Sequence, residues 1–536
     1  MIGRTCDEVV AFVDNYTVWV IGNDITSNVN KIQSEILLKT ERWSLESGAT
    51  FEPEKTQFIH FTRNSMRTRQ DSPTLSFMGQ TIKPAPEIKV LGLLLDQGLR
   101  FQSHAAKAAK RGERAAMALR RLKGINPKTA RQLFTATVAP ITDYGSPIWS
   151  PGSAGTVAHR IERATKLGAL AVTRMFKSAA YQVAAAEAGI ELVRDRLDEH
   201  TRRHWIAMHT KPDKHLCWRL IKQLMKINRF QSPLEATALI FQHVKIKDIE
   251  RQAAFIKAPW QPALPLLIQQ DTPQDTPQEQ TRSLGLRTFF VAGACRNKLT
   301  GTGVTAPKLP GMQRATTTGF SPWTDLLQAE LEAIKLAIQI AVQDLPQLGR
   351  GLDTSIILST SCKALQLISA PKKAKNEVLR EIYNLLAEGE EKNIPIRLYL
   401  VPLQERNQGQ IQARNLALQA TDQGCGPDKY YRVFRQAKNC GKRVAKEKQH
   451  HFRSQRTGGF IKHLDKAIPG RYTRELYDKL SSTEAALLAQ VRSGYSRLQS
   501  YLFKINAAEN ELCECGQVET VEHFILECPR WSQQRS

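Results

Sequence analysis

At 536 residues the chain is long enough for three or four domains, each with its own core. Its 76 Lys and Arg against 51 Asp and Glu leave a formal net charge of +25. An excess of that size favours a polyanionic partner, nucleic acid being the commonest, over the plainer reading of a solvated basic surface. Nine cysteines, most of them scattered (Cys6, Cys217, Cys295, Cys362, Cys425, Cys440), exclude a disulfide framework and point to a reducing compartment. Asp14-Asn15 interrupts the Val9–Val13 run before it can form a signal-peptide core, and no apolar run approaches the ~20 residues of a membrane span. The expectation is a soluble intracellular protein, nuclear or cytoplasmic, with no membrane partner.

The first predicted element is a β-hairpin. Val9-Val10-Ala11 and Val18-Trp19-Val20-Ile21 read as strands on either side of Phe12-Val13-Asp14-Asn15, with Asp14 raised at an Asp-Asn tip. Asp-Asn is also ordinary turn chemistry. Thr26 or Ser27 can cap a helix through Val29, Ile32, Ile36, Leu37 and Trp43, stopped by Gly48. Strand-like stretches follow at Gln57–Phe61, Leu75–Phe77 and Ile88–Leu95. The Ala-rich, basic stretch His104–Lys123 predicts a helix, and further helices run to about residue 245, Ile161–Phe176 among them.

Pro- and Gln-rich sequence over 246–284, with Gln-Asp-Thr-Pro repeated within 270–277, predicts a linker. Beyond it the order is mixed: strands Leu286–Val291, 301–305 and 315–319, a helix over 323–343, strand Ser355–Leu358, helices within 361–391, strand Ile396–Val401 and a helix over 410–420. That order predicts an α/β domain with its own core. Residues 429–472 interleave cations with aromatic rings, among them Arg432, Arg435, Lys442, Arg443, Phe452 and Arg453. Phosphate pairing with base stacking grips single strands in this way, although Tyr431 and Phe434 fit an amphipathic helix equally well. Cys513-Glu514-Cys515-Gly516 and His523…Cys528 supply three thiolates and an imidazole within sixteen residues, a set suited to structural Zn²⁺ with no open position. The alternative is buried free thiols.

These motifs resemble, in order, reverse transcriptases of non-LTR (LINE-type) retrotransposons. Phe12-Val13-Asp14-Asn15 is similar to their aromatic-x-Asp-Asp hairpin, Trp43…Gly48…Pro53-Glu54-Lys55-Thr56…His60-Phe61 to the stretch after it, Lys89–His104 to their primer-grip region, and Asp143-Tyr144-Gly145-Ser146-Pro147-Ile148-Trp149 to a segment after the thumb. The resemblance implies that Asp14 is a vestigial polymerase metal ligand, with Asn15 in place of a second carboxylate and an upstream carboxylate strand absent. It also implies that the 104–123 helix belongs to a thumb whose Lys107, Lys110, Arg111 and Arg114 would neutralise phosphates. Each of these alone is as well explained by a solvated helix face.

Ala329-Glu330-Leu331-Glu332-Ala333-Ile334 resembles the Ala-Glu-Leu-x-Ala-Ile helix of the ribonuclease H domain found in several LINE lineages. On that resemblance the other catalytic carboxylates stand as Ala292, Thr360 and Arg414, the usual His as Gln404, and Glu330 is a vestigial ligand. Two-metal catalysis needs converging carboxylates, so Mg²⁺, used by the family, is expected not to bind productively. Glu330 is then expected to be an exposed helix residue. The terminal cluster resembles the Cys-x-Cys-Gly…Glu-Thr-x-x-His…Cys zinc tail of the same enzymes, which implies Cys513, Cys515, His523 and Cys528 as ligands.

The combined expectation is a multidomain α/β and α chain. It has a partial polymerase palm (1–100), a helical thumb and connection (101–245), a linker (246–284), a ribonuclease H-like α/β domain (285–422), a basic aromatic arm (423–481) and a small helical zinc-binding tail (482–536). Its expected function is that of a nucleic-acid-binding remnant, inactive on its own, with element RNA or an RNA–DNA hybrid as partner. The competing expectations are an RNA-directed DNA polymerase completed by a longer or second polyprotein chain, and a domesticated protein-binding scaffold.

Overall fold

The computed structural model describes residues 9–12, 15–22, 24–62, 73–151, 156–212, 215, 233–241, 249–252, 267–269, 287–321, 323–344, 354–370, 376–401, 408–422, 458–465 and 471–535. They form two compact units, one of Met1–Leu197 with Phe452–Ser536 and one of Asp198–His451. Among the described residues no helix is long and apolar enough to cross a membrane.

The first unit opens on the expected hairpin, in a different register. Strand β1 (Val9–Phe12) pairs antiparallel with β2 (Asn15–Val18), Phe12 opposite Asn15 and Val9 opposite Val18. A two-residue connection fixes that register, so the second strand starts at Asn15 and ends where the predicted apolar strand began. Ile21 is left exposed. Asp14 lies outside the described residues.

The following helix runs over Ile25–Lys31, Ile32–Leu37 and Leu38–Ser47 and ends at Gly48. Its cap is Asp24, whose carboxylate accepts the Ser27 N–H at 2.8 Å, rather than Thr26 or Ser27. A charged carboxylate interacts more strongly with the helix N-terminus than a hydroxyl does. Val29 packs with Phe58, Leu75, Phe77 and Ile82 over the hairpin of β3 (Leu75–Phe77) and β4 (Gln80–Ile82). Gln57–Phe61 is not a strand: Phe58 packs in that core, and its carbonyl accepts the Ala85 N–H at 2.7 Å.

The Ile88–Leu95 run, expected as one strand, folds back on itself as β5 (Glu87–Val90) and β6 (Leu93–Asp96). Leu91 and Gly92 turn the chain at φ +44° and +87°, which is what a two-residue hairpin demands. The Tyr144 hydroxyl donates to the Leu91 carbonyl at 2.7 Å and stabilises the turn.

Helices Gln102–Arg121, Pro127–Leu133 and Thr156–Thr173 form the body of this unit. A Cβ on Gly112 would lie 2.4 Å from Thr142 Cγ2 and 3.3 Å from Ala164 Cβ, so glycine permits the close approach of the helices. The Thr156–Thr173 helix stops short of the expected Phe176. Arg174 leaves it at φ +55°, its guanidinium donating to the Arg120 carbonyl at 3.0 Å and the Leu122 carbonyl at 2.6 Å.

The helices near the C-terminus, Gly459–Leu464, Arg471–Asp478 and Ser482–Ser493, share this core. Ile461, Tyr477, Ala485 and Ala489 pack among Leu119, Phe134, Val138, Leu170 and Met175. A buried ionic network joins the same elements. Glu187, with no exposed side-chain surface, accepts from Arg492 Nε at 3.1 Å and from the Tyr477 hydroxyl. Arg492 also donates to Asp465 at 2.7 Å, and Arg131 pairs with Asp478.

The second unit is built on six strands: β7 (Leu267–Gln269), β8 (Thr288–Arg296), β9 (Leu299–Thr305), β10 (Gln313–Phe320), β11 (Ser355–Ser359) and β12 (Ile396–Leu400). Their spatial order is β10-β9-β8-β11-β12-β7, antiparallel from β10 to β8 and parallel from β8 to β7. Alternation along β8 separates two cores. Phe289 and Val291 pack under Leu326–Gln339 and Glu377–Glu391, while Phe290 and Ala292 pack with Ala413 of Gln408–Gln419.

The predicted strands and helices of 285–422 are present with shifted ends. The predicted linker is not structureless throughout: Leu267–Gln269 adds the edge strand β7, and the Arg251 carbonyl accepts from Arg380 Nη2 at 3.0 Å. A three-residue strand carries too little period to be read from sequence.

Removing one member of the Glu187–Arg492 pair leaves the other buried without its partner. Glu187→Ala or Arg492→Ala should therefore destabilise the first unit by about 3–5 kcal/mol, read as a lowered urea midpoint. The double variant should cost less than the sum of the singles, and simple additivity would contradict the coupling.

Candidate metal centre

Near the C-terminus the chain makes a tight turn between two thiols. The Gly516 N–H donates to the Cys513 carbonyl at 2.8 Å, the Cys513 N–H to the Gln517 carbonyl at 2.7 Å, and Leu512 bridges Val518. Gly516 sits at φ +89°, a conformation that a side chain would strain. The chain then enters a short helical turn, with the His523 N–H donating to the Thr520 hydroxyl at 3.0 Å, and the Cys528 N–H returns to the His523 carbonyl at 2.7 Å.

These two turns bring Cys513, Cys515, His523 and Cys528 together, with one ligand atom from each within 4.8 Å of the others. Cys513 Sγ lies 3.8 Å from Cys528 Sγ, and Cys515 Sγ 3.1 Å from His523 Nε2. Tetrahedral Zn²⁺ with Zn–S of about 2.3 Å and Zn–N of about 2.0–2.1 Å has edges of roughly 3.5–3.8 Å. The donor set suits such an ion, and the separations, from 3.1 Å to within 4.8 Å, bracket those edges.

His523 is buried with Nδ1 unbonded, and the Glu527 carboxylate stands 3.9 Å from that nitrogen. A carboxylate there would orient the imidazole of a metal-bound histidine. The Gln517 N–H pulls the Cys515 thiol below its ordinary range, whereas burial raises that of Cys528. Four protein ligands would leave no open position, so an ion here would be structural. Among the described residues no other group of three or more His, Cys, Asp or Glu side chains converges in this way.

Glu330 occupies a different setting from the one expected. It is buried, 7% exposed, in the first turns of the Leu326–Gln339 helix, which Asp325 caps. A Cβ on Gly293 of β8 would lie 2.9 Å from the Glu330 backbone nitrogen, so the strand and helix touch here. Burial pushes the Glu330 carboxyl up to about 7, against opposing pulls from the Gly293 N–H and the Arg414 charge, and its Oε2 has no hydrogen-bond partner. The tight approach at Gly293 draws the start of the helix under the sheet, which the amphipathic pattern alone did not reveal.

Arg414 acts on it through its charge, whereas Ala292 lies in the core on the other face of the sheet. Ala292 precedes Gly293, Ser359 pairs with Val291 so that Thr360 follows beside Ala292, and Arg414 adjoins Ala413, which packs with Ala292. The set contains one carboxyl and one guanidinium.

Lys107, Lys110, Arg111 and Arg114 are all exposed on the Gln102–Arg121 helix, at the three- and four-residue spacing of one face. Lys107 stands 3.8 Å from the Glu87 carboxylate. Arg121 is exposed at the end of the helix, beyond an uncharged interval at Met117 and Ala118. Gln404, Arg432, Arg435, Lys442, Arg443, Phe452 and Arg453, like Asp14, lie outside the described residues.

No protein-family model matches the chain. Over 190 residues, 34% of this chain, it is 25% identical to the 115 kDa protein of the type-1 retrotransposable element R1DM of Drosophila melanogaster. The matched stretch covers 18% of that relative, so the chain spans less than a fifth of its length. This similarity supports a retrotransposon-derived origin.

Sequence reasoning overlooked Glu187 and Arg492, which tie the segment before the metal centre to the helical body. A signal was available: Glu187 is a single charge within Val183-Ala184-Ala185-Ala186-Glu187-Ala188, a run too apolar to be solvated. Its partner, 305 residues away, had none.

Two outcomes follow for these sites. The purified full-length chain should carry one zinc ion, measured by elemental analysis. Cys528→Ser should lose it and expose 510–535 to limited proteolysis, as should chelation of the parent chain. Glu330, with its folded-state pKa raised from 4.5 to about 7, binds its proton more tightly in the folded chain. The stability this gives is present in full below about pH 4.5 and is lost as pH rises through 7. Glu330→Gln should therefore unfold at higher urea than the parent at pH 8, by up to about 3 kcal/mol, with the gap closing near pH 5.

Proposed function

We propose that this chain is a nucleic-acid-binding remnant of a non-LTR retrotransposon polyprotein, without polymerase or ribonuclease H activity of its own. The observation that carries the reading is the environment of Glu330. A sheet of three antiparallel strands extended by parallel ones, with a helix bearing one buried glutamate over its first strand, supports the resemblance to a ribonuclease H domain. Where that domain converges four carboxylates, this chain has Ala292, Glu330, Thr360 and Arg414. One carboxyl beside a guanidinium does not hold a pair of Mg²⁺ ions.

The remaining features support the same origin. The hairpin with Asn15 opposite Phe12 serves as the vestige of a palm, the helices from Gln102 as its thumb, and Cys513, Cys515, His523 and Cys528 as a structural zinc site. The exposed row of Lys107, Lys110, Arg111 and Arg114 supplies sequence-independent affinity for phosphates. One observation favours a second reading, action within a longer polyprotein: the relative extends far beyond the matched stretch.

Primer extension on an RNA template and cleavage of an RNA–DNA hybrid, with Mg²⁺ or Mn²⁺, test the reading. The expected result is no product above a no-protein control, together with oligonucleotide binding that weakens steeply with salt. Turnover in either assay would overturn the inactive assignment, and absence of binding at low salt would overturn the nucleic-acid one.

A further inference from the structure

Where the helical body meets the segment before the metal centre, three aromatic rings gather at the surface. Phe176 and Tyr501 lie near-parallel, 13° apart with centroids separated by 6.3 Å, and Tyr495 stands edge-on to Tyr501 at 5.4 Å. All three stay partly exposed. Their positions are fixed from the polar ends: the Tyr501 hydroxyl meets Ser178 Oγ at 2.7 Å, and the Tyr495 hydroxyl accepts the Ala180 N–H at 3.4 Å. Tyr495 also packs against the helical core, so the hydroxyl bonds hold a partly exposed group of rings in a fixed arrangement.

The two segments that carry the rings are basic in sequence. Residues 173–180 and 494–505 contain no Asp or Glu, and Lys177, Arg497 and Lys504 are exposed within them. Lys504 lies three residues after Tyr501 on one helix and so on the same side of it. From other elements, Glu519 approaches at the Gln499 N–H, 2.7 Å away. Aromatic rings flanked by cations are how single-stranded nucleic acid is held.

The trio also continues the basic stripe. Arg174, two residues before Phe176, donates to the carbonyls of Arg120 and Leu122, where the Gln102–Arg121 helix ends. From Lys107 to Arg121 that helix rises about 21 Å, with exposed cations at Lys107, Lys110, Arg111 and Arg114 and again at Arg121 beside the aromatic turn.

We propose that Phe176, Tyr495 and Tyr501 form a base-stacking site for single-stranded nucleic acid, entered along the Lys107–Arg121 phosphate track. The inference rests on the nucleic-acid reading above and adds to it the location and the single-strand preference. The site takes bases without sequence choice, because stacking is open to every base face. Its cations supply affinity through phosphates, and the rings discriminate against duplex, whose bases are already stacked.

The test uses the full chain with fluorescent oligo(U), oligo(dT) and a blunt duplex of equal length. Tyr501→Leu and Phe176→Leu keep apolar volume and remove the ring, and each should weaken single-strand binding about tenfold while duplex binding changes little. Tyr501→Phe should bind like the parent. Lys110→Ala with Arg114→Ala should instead lower the slope of log affinity against log salt.

Photocrosslinking of a 5-bromouracil oligomer to the parent chain, mapped by mass spectrometry, decides the matter even where a Leu variant misfolds. Adducts at Phe176, Tyr495 or Tyr501 are expected. Parent binding with adducts elsewhere and unchanged Leu variants would overturn the stacking site alone. No binding of any oligomer by the parent would overturn the nucleic-acid reading with it.

Discussion

The buried contact between Glu187 and Arg492 is the constraint on which the first unit depends. Elements separated by some three hundred residues share a core there, and the carboxylate at its centre has no exposed surface. Burial raises the Glu187 carboxyl, against opposing pulls from Arg492, whose Nε–H reaches both carboxylate oxygens at 3.1 Å, and from the Tyr477 hydroxyl. A pair this deeply buried contributes little net energy over an apolar pair of similar volume. Its geometry ties the Ser482–Ser493 helix to two acids at once, Arg492 reaching both Glu187 and Asp465. The metal centre inherits that position through Glu519, whose carboxylate accepts the Gln499 N–H.

What could be read from the sequence divides along physical lines. The strands of 285–422 were legible because alternation and flanking turns repeat over five residues or more, and both sheet faces are apolar. Local chemistry was legible at Cys513, Cys515, His523 and Cys528, since four ligands within sixteen residues can meet through two turns. Ile88–Leu95 was misread because apolarity says nothing of a turn in which Leu91 adopts a left-handed conformation alongside Gly92. The hairpin register was misread because connection length, not hydrophobicity, sets it. The Asp24 cap and the β7 edge strand depend on single residues and three-residue pairings. Glu187 with Arg492, and Gly293 against Glu330, are contacts between distant segments, which no local period encodes.

The surroundings of Glu330 separate a fold from its chemistry. Phe289, Ile334, Ile338, Ile357 and Leu398 remain fully buried on one side of the sheet, and none of them depends on a carboxylate. Gly293 still admits the helix at van der Waals contact. Ala292 is buried where a charged side chain would need a counter-ion, and it packs with Leu358 and Ala413. The packing of the frame is self-sufficient, in keeping with function residing in sites rather than folds. The Glu330 carboxyl responds as a buried acid does, by holding its proton toward neutral pH.

The excess positive charge of the chain is organised by the same packing. On the Gln102–Arg121 helix the buried positions are His104, Ala105, Ala108, Ala109, Gly112, Ala116 and Leu119, nearly all small. Small residues let the Thr156–Thr173 helix approach closely, and the opposite face is left to Lys107, Lys110, Arg111 and Arg114. Arg174 then spends its guanidinium on the carbonyls at the end of that helix instead of on a carboxylate. Its left-handed backbone turns the chain out of the Thr156–Thr173 helix and delivers Phe176 to Tyr501. A single arginine at the end of one helix thus links a row of cations to a group of rings, and the segment positioned by Glu187 and Arg492 supplies two of the three.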